Sequence, residues 1–92
     1  MIMKYGFNTE EDNRFKTISE FKECILRGGE PVFRWNGIVC GVCFSDIGYC
    51  IAHIDGSCEK ICSTPDAVLE YRVGNDRLRD VITQVTVISR SV

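Results

Sequence analysis

Apolar residues recur along the chain with two different spacings, and the change of spacing divides the chain into elements. From Thr17 to Arg27 they return every three or four positions, which predicts an amphipathic helix. Thr17 or Ser19 can cap its start, with Glu20 at the capping-box position after Thr17, and Gly28-Gly29 can end it. The sequence therefore predicts one well-defined helix in the first third of the chain.

After Pro31 the apolar spacing changes to two, which is typical of strands with one buried face. Asn36-Gly37 interrupts this pattern, and an Asn-Gly pair between apolar runs is a strong hairpin signal. Further turns are expected at 46–48 and at Asp55-Gly56, and a short edge strand at 58–62. Short turns join antiparallel neighbours, so the pattern predicts a meander of three or four strands.

Helical spacing returns at Thr64, where Thr64-Pro65 has the composition of an N-cap followed by proline at the first helical position. A two-turn helix is expected over TPDAVLEY, followed by a break at Gly74-Asn75. A second short helix is expected around Leu78, and residues 85–90 read as β-like. The C-terminal third therefore predicts a helical pair with an extended end.

Together these elements predict an α+β fold, with an N-terminal helix and C-terminal helical segments packed on the antiparallel meander. Residues 1–16 are polar and mixed and are interpreted as a loose N-terminal arm, with a single domain over 17–92. The apolar positions expected in the core are Phe21, Ile25, Trp35, Ile38, Val42, Phe44, Ile51, Leu69 and Leu78.

Composition adds bounds on function. The 92 residues suffice for one domain, and 45% apolar with 26% charged residues is a globular balance. The formal net charge of −2 does not favour a nucleic-acid module. No apolar run reaches the length of a membrane span, and the start lacks the pattern of a secretory signal, so we expect a cytoplasmic protein without membrane attachment.

Six cysteines are the one unusual feature of the composition. Most of them lie in apolar, strand-like runs, which predicts that they fill core volume as small apolar side chains. A zinc-stabilised module is the alternative, because paired close cysteines can supply four thiolate ligands. Its ligands would be Cys40, Cys43, Cys58 and Cys62. Residues 40 and 43 stand three apart on a predicted strand and so face opposite sides, which disfavours zinc.

Catalysis is not favoured by the residue types present. His53 is the single histidine, so a thiol-dependent enzyme would need a cysteine close to it. A CGVC sequence at 40–43 resembles a redox centre, but the predicted strand lacks the helix N-terminus that activates such a thiol. We therefore expect no enzyme, no catalytic or cofactor-binding residues, no resident metal and no cofactor.

Basic residues gather in the last third of the chain, at Arg72, Arg77, Arg79 and Arg90. Asp76 and Asp80 lie among them, at spacings that favour ion pairs on a helix surface. This arrangement predicts a solvated, ion-paired face and makes nucleic acid an unexpected partner.

The stretch TISEFKECILRGGEPVFRWNG resembles the opening of a family of small uncharacterised proteins from Gram-positive gut bacteria and their mobile elements. The closing stretch, TPDAVLEYRVGNDRLRDVITQVTVISRS, is similar to their ending. The resemblance covers 17–91 and rests on structural motifs, with the cysteines departing from the family pattern. It implies an intracellular bacterial or phage-related protein and attaches no activity.

The function expected from these observations is that of a small, non-catalytic, intracellular protein-binding domain. Its sharpest form is a phage or mobile-element inhibitor of a host enzyme, the class that includes anti-CRISPR proteins. The expected partner is another protein, and the sequence does not fix the oligomeric state. The zinc-stabilised module and the thiol-dependent enzyme stand as the two alternatives.

Overall fold

The computed structural model describes residues 14–90, and within this range it contains both helices and antiparallel strands. The helices are α1 (Ile18–Leu26), α2 (Pro65–Val68) and α3 (Leu78–Val81). The strands are β1 (Val32–Trp35), β2 (Ile38–Ser45), β3 (Gly48–His53), β4 (Lys60–Cys62), β5 (Arg72–Val73), β6 (Asp76–Arg77) and β7 (Thr86–Ser89). This composition confirms the predicted α+β class.

Among the described strands, five form one antiparallel sheet in the order β4-β3-β2-β1-β7. The first four are the predicted meander. The fifth, β7, was expected only as a β-like stretch, and it pairs with β1 through Phe33 opposite Val87, with an irregular register beside Val32. Strands β5 and β6 form a separate two-stranded ribbon. The sheet therefore has five strands, where three or four were predicted.

Local chemistry places α1 as the sequence predicted. The Thr17 hydroxyl accepts a hydrogen bond from the Glu20 amide at 3.0 Å, and the Glu20 carboxylate accepts one from the Lys16 amide at 2.8 Å. The Lys16 bond, assisted by Arg90, holds the pKa of Glu20 below its usual value. At the other end, Gly28 adopts a φ of 88°, a conformation that favours glycine and ends the helix.

The turns and the C-terminal helices follow the sequence signals with one difference. Asn36 and Gly37 both have positive φ, 51° and 82°, as the hairpin prediction requires. The Thr64 hydroxyl caps α2 by accepting from the Ala67 amide at 3.1 Å. Helix α2 spans only Pro65–Val68, so the prediction of a two-turn helix is wrong. The chain leaves the helix after Val68, and Tyr71 comes directly before the first strand of the ribbon.

Helices α1 and α2 pack against each other and against strands β2, β3 and β4, whereas α3 contacts the ribbon strand β6. Buried residues of all three helices belong to one core with the sheet. Of the residues predicted for the core, Phe21, Ile25, Val42, Ile51, Leu69 and Leu78 are buried, and Trp35 and Ile38 are partly buried against them. Phe44 is 59% exposed, so its placement in the core is wrong. It points to the helix side but stands at the hairpin end of the sheet, where residues 43–47 are all exposed.

The N-terminal arm predicted over 1–16 lies mostly in residues 1–13, outside the described range. Residues 14–16 of the predicted arm are described, and Phe15 among them is buried in the core. Its ring meets the ring of Phe21 edge-on, with 5.3 Å between the ring centres. The Arg90 guanidinium lies 4.3 Å from the centre of the Phe15 ring and 3.1 Å from the Glu20 carboxylate. Phe15 therefore links the start of the described chain to its last strand. No helix within residues 14–90 has the length and hydropathy to cross a membrane.

Candidate functional site

The sheet has two faces with different surroundings. The face toward the helices carries Phe33, Cys40, Val42, Ile51 and Val87, all of them buried. We call the opposite side the open face. Its paired strand residues are Val32, Arg34, Val39, Gly41, Cys43, Ser45, Gly48, Cys50, Ala52, Ile61, Thr86 and Ser89. Only Arg34 among these carries a charge, so the open face is largely uncharged, with an apolar centre, although no described helix covers it.

A shallow depression of about 380 Å³ lies on the open face. Its apolar lining includes Val32, Gly41, Cys43, Cys50, Ala52 and Ile54. Glu30 and Glu59 contribute carboxylates to the same lining. An apolar hollow with acidic groups beside it favours an apolar ligand group that carries positive charge nearby.

Gly41 lies within this depression. A Cβ atom built there would lie 3.7 Å from Val32 Cγ2, in ordinary van der Waals contact, so the position can accept a small side chain. Ile54 continues the apolar surface beyond β3, where its amide donates to the Val39 carbonyl at 2.9 Å and its side chain is 66% exposed.

Cys43 and Cys50 stand directly opposite each other on the open face, two pairs away from the turn that joins β2 to β3. The Cys50 thiol donates a hydrogen bond to Glu59 Oε2 at 2.8 Å. The bond to Glu59 favours the protonated thiol and, with burial and Cys43, raises the pKa of Cys50 to about 12. Cys43 is the exposed member of the pair.

The loop between β3 and β4 positions Glu59 beside this pair. Asp55 accepts hydrogen bonds from both the hydroxyl and the amide of Ser57, at 2.6 and 2.9 Å, and these hold the pKa of Asp55 below its usual value. The His53 amide donates to the Ser57 carbonyl at 2.9 Å. These bonds close the loop tightly and bring the chain back to β4.

A second depression, of about 690 Å³, lies between this loop and the C-terminal ribbon. His53, Cys58, Tyr71 and Arg72 are among the residues that line it. Cys58 has a positive φ of 56°, and its carbonyl accepts a hydrogen bond from the Tyr71 hydroxyl at 2.7 Å. The structure thus places one exposed thiol in the same hollow as His53, which is the neighbourhood that the thiol-enzyme hypothesis requires; that hypothesis stays a prediction.

The four cysteines of the zinc hypothesis do not converge. Cys40 and Cys43 face opposite sides of the sheet, as their spacing predicted. Cys40 and Cys62 are buried, and Cys58 lies in the exposed loop. Across residues 14–90 there is no group of three or more His, Cys, Asp or Glu side chains placed to hold a metal ion.

The expectation that most cysteines are buried needs correction. Cys24, Cys40 and Cys62 are buried, whereas Cys43 and Cys58 are exposed and Cys50 is half-buried. The physical reason is strand alternation: positions 43 and 50 point away from the helices, and position 58 lies in a loop.

Among the basic residues of the last third, the predicted i,i+3 pairing occurs between Arg77 and Asp80, at 3.4 Å. Asp76 instead accepts a hydrogen bond from Trp35 Nε1 at 2.9 Å. Glu70, which the prediction did not include, lies 2.6 Å from Arg79 and 3.4 Å from Arg77. Arg72 donates to the Asn75 carbonyl at 3.1 Å. These side chains form an ion-paired surface around the ribbon.

The pairing of Cys43 with Cys50 was missed because the turn between β2 and β3 is shorter than predicted. A three-residue turn over 46–48 would have placed Cys43 opposite Ile51. The turn has two residues instead, with Gly48 already paired to Ser45 in the strand. Gly48 adopts a φ of 130°, and a Cβ there would lie 2.5 Å from the Cys62 carbonyl oxygen. Its glycine identity was the signal that could have revealed the register.

Comparison with family models, with curated proteins and with solved structures gave no match for this chain. The resemblance to small proteins of Gram-positive gut bacteria therefore stays a prediction. The functional argument rests on the geometry of the two depressions and of the open face.

Proposed function

We propose that the chain is a protein-binding domain whose contact surface is the open face of its sheet. The observation that carries this proposal is the apolar depression around Gly41, with Glu30 and Glu59 beside it. Contiguous apolar surface on a small soluble domain is characteristic of interaction sites. Here the apolar side chains belong to ordered strands, so a partner meets a preformed surface.

The chemistry of the depression defines the part of the partner that fits it. Val32, Ala52 and Ile54 offer apolar contact, which favours an apolar side chain at the centre of the interface. Glu30 and Glu59 favour lysine or arginine beside that side chain. Arg34 lies on the same face and provides a contact for an acidic group at the far end.

The sharper form of the proposal is an inhibitor of a host enzyme that acts by covering part of the enzyme's surface. Such a mechanism needs contact area and no catalytic residues, which fits an open face of strand residues that are nearly all uncharged. The phage or mobile-element origin of such an inhibitor rests on the sequence resemblance alone.

Selection from a random peptide display library tests the binding surface and does not require the partner to be identified. The full chain serves as bait, and we expect enriched peptides with an apolar residue flanked by lysine or arginine. Ile54→Asp places a charge at the edge of the depression and should weaken binding of these peptides at least tenfold, about 1.4 kcal/mol.

Leu26→Asp is the matched control, because Leu26 is 61% exposed on α1 and Ile54 is 66% exposed on the open face. Both variants add the same charge at exposed isoleucine or leucine positions, and both should keep the unfolding midpoint of the original chain. Peptides that bind Ile54→Asp as well as the original chain, or that lose binding to Leu26→Asp instead, would overturn the proposal.

A further inference from the structure

We propose that Cys43 and Cys50 form a reversible dithiol–disulfide site on the open face. The two residues are directly opposed in the β2–β3 pair and their side chains lie on the same side of the sheet. Directly opposed residues of an antiparallel pair have Cα atoms about 4.5–5.5 Å apart, within the range of about 4.4–6.8 Å that disulfides occupy. Because the pairing already sets this separation, closing the bond calls for side-chain rotation in a fixed backbone.

The other four thiols are less suited to this reaction. Cys24, Cys40 and Cys62 are buried, so a dissolved oxidant does not reach them in the folded chain. Cys58 is exposed, but it lies in the loop that borders the second depression. The pair on the open face therefore combines access for an oxidant with a partner thiol at the correct separation.

The oxidant required is a low-molecular-weight disulfide such as oxidised glutathione. The Cys43 thiol loses its proton to solvent, and its sulfur attacks one sulfur of the oxidant and expels the first small thiolate. The Cys50 thiol then loses its proton to solvent, and its sulfur attacks Cys43 Sγ and expels the second small thiolate. The protein loses two protons and two electrons in total, and the oxidant takes them up to become two molecules of small thiol.

Glu59 sets the order of these two attacks. Its carboxylate accepts the Cys50 S–H bond at 2.8 Å and keeps that thiol protonated, so the exposed Cys43 reacts first and Cys50 second. When the disulfide forms, Cys50 no longer has a thiol proton to donate to Glu59. The Glu59 carboxylate then faces the depression without this hydrogen bond. Oxidation therefore changes both the shape and the hydrogen bonding of the open face.

The test exposes the full chain to oxidised glutathione at neutral pH, quenches with acid and measures the intact mass. We expect a product that lacks two hydrogen atoms and carries no glutathione. Cleavage before Asp46 separates the two cysteines in sequence, so the two fragments should stay joined until a reductant is added. Recovery of the free dithiol with reduced glutathione shows reversibility.

Three single variants identify the sulfurs. Cys50→Ser should stop at a glutathione adduct on Cys43, whereas Cys43→Ser should form no internal disulfide. Cys58→Ser is the control and should give the same linked product as the original chain. A stable glutathione adduct on the original chain, a link to Cys58, or no oxidised product would each overturn the proposal.

Glu59→Gln tests the ordering role separately. The uncharged amide of this variant stabilises the protonated Cys50 thiol less than the carboxylate does. The attack of Cys50 on the mixed disulfide at Cys43 should therefore become at least about tenfold faster at neutral pH. The measurement is the lifetime of the mixed disulfide after a brief pulse of oxidant. A mixed disulfide that lives longer in Glu59→Gln than in the original chain would show that Glu59 has no such role.

Discussion

The two faces of the sheet are built from the same strands, yet they have different surroundings. Phe33, Val42 and Ile51 on the helix side are buried, whereas Val32, Ala52 and Ile61 on the open face keep part of their surface in solvent. The difference comes from where the helices pack, since α1 and α2 contact the sheet on the side of these buried residues. Apolar alternation alone therefore cannot separate a core face from an open face.

The cysteines show the same contrast at close range. Cys40 and Cys43 are three positions apart on β2, so strand alternation turns one into the core and the other out of it. Burial raises the pKa of Cys40 to about 11, which makes it an unreactive packing group. Cys43 is exposed and has a thiol partner across the strand.

The largest expected effect comes from removing equal side chains from the two faces. Ile51→Ala should lower the free energy of unfolding by about 2–5 kcal/mol, because Ile51 is fully buried and leaves a cavity. Ile61→Ala should cost less than about 1 kcal/mol, because that side chain is 41% exposed. Urea unfolding of both variants measures the difference. Equal losses for the two variants would contradict the distinction between the faces.

A smaller effect is expected from two glycine substitutions in the same hairpin. Gly48→Ala should cost about 1–3 kcal/mol, because its φ of 130° strains any other residue and the new Cβ would meet the Cys62 carbonyl. Gly41→Ala should change stability by less than about 1 kcal/mol, since its Cβ has room on the open face. Thermal unfolding compares the two. A more costly change at 41 than at 48 would show that the depression is not open.

The smallest effect is confined to alkaline solution. Burial raises the pKa of Cys40 from 9.0 to about 11, so the folded chain retains a proton that the unfolded chain releases. The stability from this site is fully present below pH 9 and is lost as the pH rises through about 11. Burial also raises the pKa of Tyr71 to about 12, so the loss of stability continues to higher pH.

Urea midpoints measured across this alkaline range should therefore fall as the pH rises. Cys50, whose pKa is raised to about 12, contributes to the same fall, so Cys40→Ala should reduce the slope without abolishing it. A midpoint that stays constant from pH 9 to pH 11 would contradict the burial of the Cys40 thiol.

Much of the fold could be predicted because its signals are local. The cap at Thr17, the positive-φ turn at Asn36-Gly37 and the period-two alternation each act within a few residues. The place of strand β7 in the sheet was harder to predict, because β7 pairs with β1, which lies far away in sequence. Phe44 was misplaced because alternation gives the side of the sheet and not the extent of the helices that cover it.

The candidate site was less predictable than the fold. The sequence indicated correctly that Cys40 and Cys43 face opposite sides of the sheet. It did not reveal that Cys43 meets Cys50, because one residue of turn length changes every cross-strand pair in a hairpin. The contact of Glu59 with Cys50 depends further on the loop that Asp55 and Ser57 close.

The position of β7 at the edge of the sheet has a consequence for the order of folding. The pairs β1–β2 and β2–β3 are hairpins with two-residue turns, so few residues separate their contacts. Thr86 of β7 pairs with Arg34 of β1, a contact that must bring distant parts of the chain together. Because contacts of large sequence separation slow folding, we expect β7 to dock last. The part of the open face that β1, β2 and β3 form would then be complete early, and the edge that β7 forms would be added in the final step.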